Sequence, residues 1–225
     1  MPGYRHELKI RIDAMDAATL LPRLRAVLRP DPNAPNGEYT VRSLYYDDPY
    51  GSVLADKLAG MNQRDKYRLR IYNGSDGTIR LERKERIDGV GRKLSVPLTR
   101  DQADRFLAGG TGVLLELGDP VATLFYGDFQ AGALRPRRIV EYDRTAFVHP
   151  LENVRITLDR RLRGAPATAD FFRSPAVPVP MACDVLEVKY DRYLPSHIAD
   201  LVRMDNHFAG PNSKYLNCSL ADRMF

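Results

Sequence analysis

Lys66-Tyr67-Arg68-Leu69-Arg70-Ile71-Tyr72 runs into Asn73-Gly74 and then into Ile79-Arg80-Leu81-Glu82-Arg83-Lys84. The first run alternates charged with apolar or aromatic residues, the period of a β-strand with one wet and one dry side. Asn73-Gly74 with Asp76-Gly77, and further on Asp88-Gly89, are hairpin turn signals. They predict strands over about 65–72, 78–87 and 90–96, joined antiparallel. Tyr4 to Ile12 repeats the pattern, with Tyr4, His6, Leu8, Ile10 and Ile12 on one face and Arg5, Glu7, Lys9 and Arg11 on the other. Further strands are expected over 38–46, 137–147, 154–161 and 185–190, the two middle ones joined at His149-Pro150. Helices are expected between and after them. Leu20, Leu21, Leu24, Val27 and Leu28 recur at helical spacing over 16–29, with Pro22 expected near the first turn. Asp48 and Pro49 read as cap and first position of a helix over 50–59. Thr99 with Gln102 forms a capping-box pattern, and further helices are expected over 118–130, from Ser196 to about 205, and from Ser213 onward. Pro-rich 30–37 and 164–181 read as loops. About eight strands and five or six helices, mostly hairpin-linked, imply an α+β protein built on an antiparallel sheet or barrel.

The 225 residues carry 34 Lys+Arg against 29 Asp+Glu, a net +5, with 44% hydrophobic and 28% charged residues. That content excludes dominant disorder, and no stretch approaches the roughly 20 apolar residues of a membrane span. Cys183 and Cys218 cannot form a disulfide scaffold or a zinc site by themselves. The N-terminal run lacks a signal peptide's apolar core, so the expected location is cytoplasmic. The charge is uneven. Residues 64–93 hold ten Lys/Arg against five acids, 135–163 eight Arg against four, and 94–134 two Arg against five.

Splitting each strand by face sharpens this unevenness. The polar faces of five strands hold Arg5, Lys9, Arg11, Lys66, Arg68, Arg70, Arg80, Lys84, Arg86, Arg155 and Lys189 against Glu7, Glu82, Asp159 and Glu187. A solvated outer face mixes both signs, because like charges opposite one another destabilise a sheet. Eleven cations against four acids therefore call for a polyanionic ligand. A carboxylate in such surroundings stays ionised, and it tolerates a polyphosphate when a divalent cation stands between them. Glu187 and Glu82 are the metal candidates; the plainer alternative is that each pairs with a neighbouring Lys or Arg. No G-x-x-x-x-G-K-[ST] or G-x-G-x-x-G loop occurs, and His6, His149, His197 and His207 lack metal or triad spacing. Nucleic acid is not expected as a partner: Trp is absent, and the cations alternate along strands instead of lining a helix or loop.

Residues 4–9 (YRHELK), 41–47 (VRSLYYD), 66–72 (KYRLRIY), 81–84 (LERK), 142–147 (YDRTAF), 154–159 (VRITLD), 186–190 (LEVKY) and 213–215 (SKY) together resemble the VTC domain of the triphosphate tunnel metalloenzymes. The resemblance runs in order over about 4–220. It implies a single domain over 1–225, an eight-stranded antiparallel β-barrel tunnel lined by Lys and Arg, with helices packed outside. It also implies polyphosphate synthesis from ATP with Mn2+ or Mg2+. Carried over by position, the substrate-binding cations are Lys9, Arg42, Arg68, Arg70, Lys84, Lys93, Arg144, Arg155, Lys189 and Lys214, and Glu187 takes the metal position. Arg68, Arg70, Lys84, Arg144, Arg155 and Glu187 are the expected catalytic set. The triphosphatase and cyclase relatives open with E-x-E-x-K, whereas here Arg5 precedes Glu7 and Lys9, which points toward the VTC branch. Coupling to membrane translocation would fall to a separate protein. The competing readings are a triphosphatase and a non-catalytic polyphosphate- or inositol-phosphate-binding module.

Overall fold

Asn73 and Gly74 both hold positive φ, 53° and 64°, and Tyr72 pairs with Ser75 across them. This two-residue loop has the handedness that matches twisted strands. The computed structural model describes residues 6–34, 37–61, 64–87, 90–180, 182–204, 209–210 and 212–221. The Asn73-Gly74 loop joins β4 (Arg64–Tyr72) to β5 (Ser75–Ile87), and β6 is Val90–Leu98. Asp76-Gly77, expected as part of the turn, lies inside β5 because the two-residue loop leaves no room for a wider one. Asp88-Gly89 falls outside the described residues, as do Arg5 and His207.

The remaining strands are β1 (His6–Ile12), β2 (Arg29–Pro30), β3 (Glu38–Asp47), β7 (Arg135–His149), β8 (Val154–Pro166), β9 (Val177–Pro178) and β10 (Asp184–Tyr190). Eight of the ten form one path, β1-β10-β8-β7-β3-β4-β5-β6, while β2 pairs with β7 and β9 with β8. The paired strands are antiparallel. Among the described residues no ladder joins β1 to β6, so hydrogen bonds do not close the sheet. It is nevertheless strongly curled: Lys84 of β5 reaches Glu7 of β1, at the far end of the path, with Nζ 3.6 Å from the carboxylate.

The helices are α1 (Ala14–Val27), α2 (Ser52–Leu58), α3 (Arg100–Leu107), α4 (Val113–Glu116), α5 (Pro120–Ala131), α6 (Ser196–Val202) and α7 (Lys214–Ala221). On the convex face, Tyr67, Leu69, Ile71, Leu81 and Val96 pack against Phe106, Phe125 and Phe129 of α3 and α5. Ile12, Leu158, Leu186 and Val188 pack against Leu20, Leu24 and Ile198 of α1 and α6. Residues two apart on a strand share a face, so the partners of these core positions point into the curl. There Tyr39, Val41, Tyr45, Val140 and Tyr142 form a third cluster with Tyr215 and Cys218 of α7. Helix α7 thus lies on the concave side, unlike the outer helices. No helix among the described residues is long and apolar enough to cross a membrane.

Local signals fared unevenly. Thr99 and Gln102 form the expected reciprocal capping box. Asp48 does not cap α2: its carboxylate accepts from the Tyr50 and Ser52 N–H groups, and Gly51, at φ 73°, occupies the cap position. A side-chain turn at Asp48 has delayed the helix by two residues. Pro22 lies well inside α1, whose first turn is set earlier by an Asp13–Asp16 capping box. Pro195, not Ser196, precedes α6.

Candidate functional site

The concave wall gathers its cations around carboxylates, in groups that chain into one another. At one edge, β1 and β10 set Glu7 opposite Lys189 and Lys9 opposite Glu187. The result is a checkerboard of cross-strand opposite charges, each pair favourable by itself. Lys189 Nζ lies 2.5 Å from Glu187 and 3.5 Å from Glu7. Lys9 Nζ lies 3.3 Å from Glu7 and 4.0 Å from Glu187. Lys84 joins from the opposite wall. Burial alone would raise the Glu187 carboxyl, but Lys189, Lys9, Arg144 and Lys214 hold it well below the usual carboxylate range. Burial, reinforced by Lys9 and Lys189, pulls Lys84 down.

A second group is built on β4, β5 and β6. Glu82 is 1% exposed, and one of its oxygens takes Arg68 at 2.7 Å and Arg70 at 3.6 Å while the other takes Lys93 at 3.2 Å. Burial works to raise this carboxyl, yet the three cations hold it at about 2. Arg68 also donates to Tyr45 Oη at 3.2 Å, and Arg70 to Ser43 Oγ at 3.0 Å. The Tyr45 ring stacks on Tyr215 of α7 at 5.0 Å. Burial would raise its phenol; Arg68 and Arg70 outweigh that and bring it down to about 8.

Between these groups stands Asp159 of β8, buried and gripped in a two-pronged bond by Arg144 at 2.6 and 2.7 Å. Lys214, at the start of α7, meets the same carboxylate at 2.6 Å. Both cations lie over the Tyr142 ring, at 5.4 and 4.7 Å from its centre. Arg155 is held by Asp31 at 2.7 Å and by Tyr39 Oη at 3.1 Å. Lys66 donates to Ser213 Oγ at 3.2 Å.

Nine of the ten expected cations therefore face the concave hollow: Lys9, Arg68, Arg70, Lys84, Lys93, Arg144, Arg155, Lys189 and Lys214. Arg42 does not. It pairs across β3 and β4 with Ile71, a convex core position, and so faces outward. There its guanidinium is buried against Glu141 at 2.9 Å and the carbonyl oxygens of Ser174 and Asp170, pinning the loop after β8. Glu82, 1% exposed and with three cations on its two oxygens, is arranged as in the plainer alternative, paired with neighbouring bases. Glu7 stands instead beside Glu187. Among the described residues no group of three or more His, Cys, Asp or Glu side chains could hold a metal ion by itself. A small divalent cation is commonly bound by one or two carboxylates together with substrate phosphates, and Glu7 with Glu187 fits that pattern.

Tyr39, Tyr45 and Tyr142 escaped the sequence reading because β3 and β7 are buried on both faces and their alternation marks neither side. Asp159 was legible as a polar-face acid, but its partners were not. Asp31, in the proline-rich loop, carried no local signal.

A strongly curled antiparallel sheet whose hollow side is paved with paired cations defines a tunnel-fold protein. A sequence profile of the VTC domain matches residues 4–221, and the chain belongs to that family. A search of curated proteins finds no match. Among solved structures, a candidate adenylyl cyclase of Hippeastrum described as having a dominant triphosphatase activity is similar at a TM-score of 0.51 and 13% identity, over 88% of this chain and 84% of that one. A candidate adenylate cyclase of Bacillus halodurans is similar at 0.50 and 10% identity, over 88% and 86%. At such identities the likeness concerns the fold.

Proposed function

We propose that this chain carries out metal-dependent phosphoryl transfer on triphosphates, with polyphosphate synthesis from ATP as its reaction. The observation that carries the reading is the convergence of nine Lys and Arg side chains, drawn from seven strands and one helix, on a single concave hollow. Phosphoryl transfer asks little covalent chemistry of a protein; positioning and charge stabilisation do most of the work. Arg68, Arg70, Arg144 and Arg155 are each braced by a carboxylate, a hydroxyl or both. Their planar forks are thus oriented before an anion arrives, and Arg is suited to two-pronged contact with phosphate oxygens. Lys9, Lys84 and Lys189 have flexible stems and can turn from Glu7 and Glu187 to follow a moving phosphate chain. Lys93 adds charge beside Glu82, and Lys214 adds it beside Asp159.

Glu187 and Glu7 would hold Mn2+ or Mg2+, which supplies charge neutralisation and polarisation of the phosphate oxygens. In the transfer, the bond from the terminal phosphorus to its bridging oxygen breaks and ADP leaves. A bond forms from that phosphorus to an oxygen of orthophosphate, pyrophosphate or a growing chain. The protein is read as acting in the cytoplasm, with any membrane step supplied by a separate partner.

Triphosphate hydrolysis is the second reading, since water could replace the phosphate acceptor without moving any of these residues. Incubation with ATP and Mn2+ separates the two: long-chain polyphosphate supports the polymerase, and orthophosphate alone overturns it. Tight triphosphate binding without turnover, unaltered by Glu187→Ala, would instead mark a binding module.

A further inference from the structure

We propose that Thr157 is a positioning residue for Glu187, donating its hydroxyl to that carboxylate once the neighbouring lysines turn to a bound phosphate chain. The inference rests on the triphosphate reading above and goes beyond it by naming what steadies the metal-side carboxylate in the loaded state. Thr157 lies on the concave face of β8 between Arg155 and Asp159 and is 4% exposed. Its Oγ1 has no hydrogen-bond partner among the described residues. Directly opposite on β10 stands Glu187; directly opposite on β7 stands Ala146, which offers no polar side chain.

A buried hydroxyl without a partner carries a free-energy cost that valine, of nearly the same shape, would avoid. The residue is therefore poorly matched to the unliganded arrangement and needs a partner from another one. The residue directly across the β10 ladder, Glu187, is the candidate. Glu187 is 6% exposed, and its two oxygens rest on Lys189 and, at longer range, on Lys9. The other cations that bear on it, Arg144 and Lys214, are committed to Asp159. When Lys9 and Lys189 swing to an incoming polyanion, Glu187 would lose both of its direct ion-pair partners while still buried, a costly state unless another donor replaces them. Directly opposed side chains in an antiparallel pair stand about 4.5–5.5 Å apart at Cβ, within reach of a hydroxyl-to-carboxylate bond by side-chain rotation. A donor behind a metal-binding carboxylate fixes its orientation, and losing such a donor typically weakens metal binding about 10–100-fold.

The test is Mn2+ titration of the full chain by calorimetry, with and without inorganic triphosphate, in wild type, Thr157→Val and Thr157→Ser. Thr157→Val is expected to bind triphosphate alone no more tightly than wild type, since the hydroxyl that steadies Glu187 is gone. It should bind Mn2+ about tenfold more weakly in the triphosphate complex, and it should melt no lower than wild type without ligand. Thr157→Ser, which keeps the hydroxyl, should restore Mn2+ affinity. Wild-type Mn2+ affinity in Thr157→Val would overturn the role of Thr157 while leaving the triphosphate reading intact. Failure of the wild type itself to bind triphosphate and Mn2+ would overturn both. Should Thr157→Val fail to fold, Thr157→Ala against Thr157→Ser poses the same question: equal Mn2+ affinity in that pair overturns the proposal, and weakening confined to Ala supports it.

Discussion

Two carboxylate nests share the concave wall and differ in kind. Around Glu82, one acid serves three cations, two of them arginines, and is sealed from solvent. Around Glu7 and Glu187, two acids are shared by three lysines that all keep partial exposure. Arginine presents a rigid fork with little freedom once paired, whereas lysine carries a compact charge on a mobile stem. The first nest is a frame that aims Arg68 and Arg70; in the proposed reaction the second exchanges its lysines for a cation and a phosphate chain. Carboxylates of the same chemistry, on the same sheet, thus sit in opposite surroundings because of which bases reach them and how tightly.

The largest expected effect breaks the frame. Removing one partner from a buried ion cluster leaves uncompensated charge and costs about 3–5 kcal/mol, so Glu82→Ala should lower the denaturant midpoint sharply. Glu187→Ala should cost much less stability, because its lysines can turn to solvent, but should abolish Mn2+ binding in the triphosphate complex. The reverse ranking would erase the distinction between the nests. The Glu82 carboxyl sits at about 2, below its ordinary value of 4.5. Its stabilising contribution is therefore complete above about pH 4.5 and disappears as pH falls toward 2. An acid titration of unfolding should show this loss in wild type and a weaker one in Glu82→Gln.

Next in size come the arginines that the braces aim. Arg68→Ala or Arg155→Ala should lose at least about tenfold in triphosphate affinity or turnover, because a charged hydrogen bond is worth about 1.5–3 kcal/mol. Unchanged kinetics in both would contradict the proposed lining. A smaller effect concerns pH. As pH rises through about 8, Tyr45 ionises beside Arg68 and Arg70, and its negative charge competes with an incoming anion. Triphosphate affinity should fall across that range in wild type and stay flatter in Tyr45→Phe, as calorimetry at pH 7 and 9 would read. The smallest effect on binding belongs to Arg42. Arg42→Met should loosen the segment at 170–174 and lower the melting temperature, yet leave triphosphate affinity unchanged; a loss of affinity would place Arg42 in the site after all.

How much could be read beforehand depends on whether a strand has one wet side. In β1, β4, β5 and β10 one face is apolar and the other charged, so alternation alone sorted Lys9, Arg68, Arg70, Lys84, Glu187 and Lys189 onto one side. In β3 the residues from Val41 to Asp47 are all buried, and no period of polarity tells Arg42 from Ser43. The resemblance carried Arg42 to the substrate side. The pairing with Glu141, a product of β3 lying next to β7, put it on the other. Glu82 misled for a related reason: its alternation was plain, but its availability depended on Lys93 and Arg70 arriving from neighbouring strands.

Sequence alone determined which residues of each wet-sided strand share a face, because successive side chains of any strand point to opposite sides whatever surrounds it. It determined the Asn73-Gly74 hairpin and the Thr99 capping box for a similar reason, since both are set within four residues. Only the tertiary structure decided which faces meet: that Lys84 crosses the hollow to Glu7, that α7 brings Lys214 to Asp159, and that Glu82 is met by two arginines and a lysine while Glu187 is met by lysines. These depend on strand order and on the curl of the whole sheet, which arise from packing between parts of the chain far apart in sequence, such as β1 against β10.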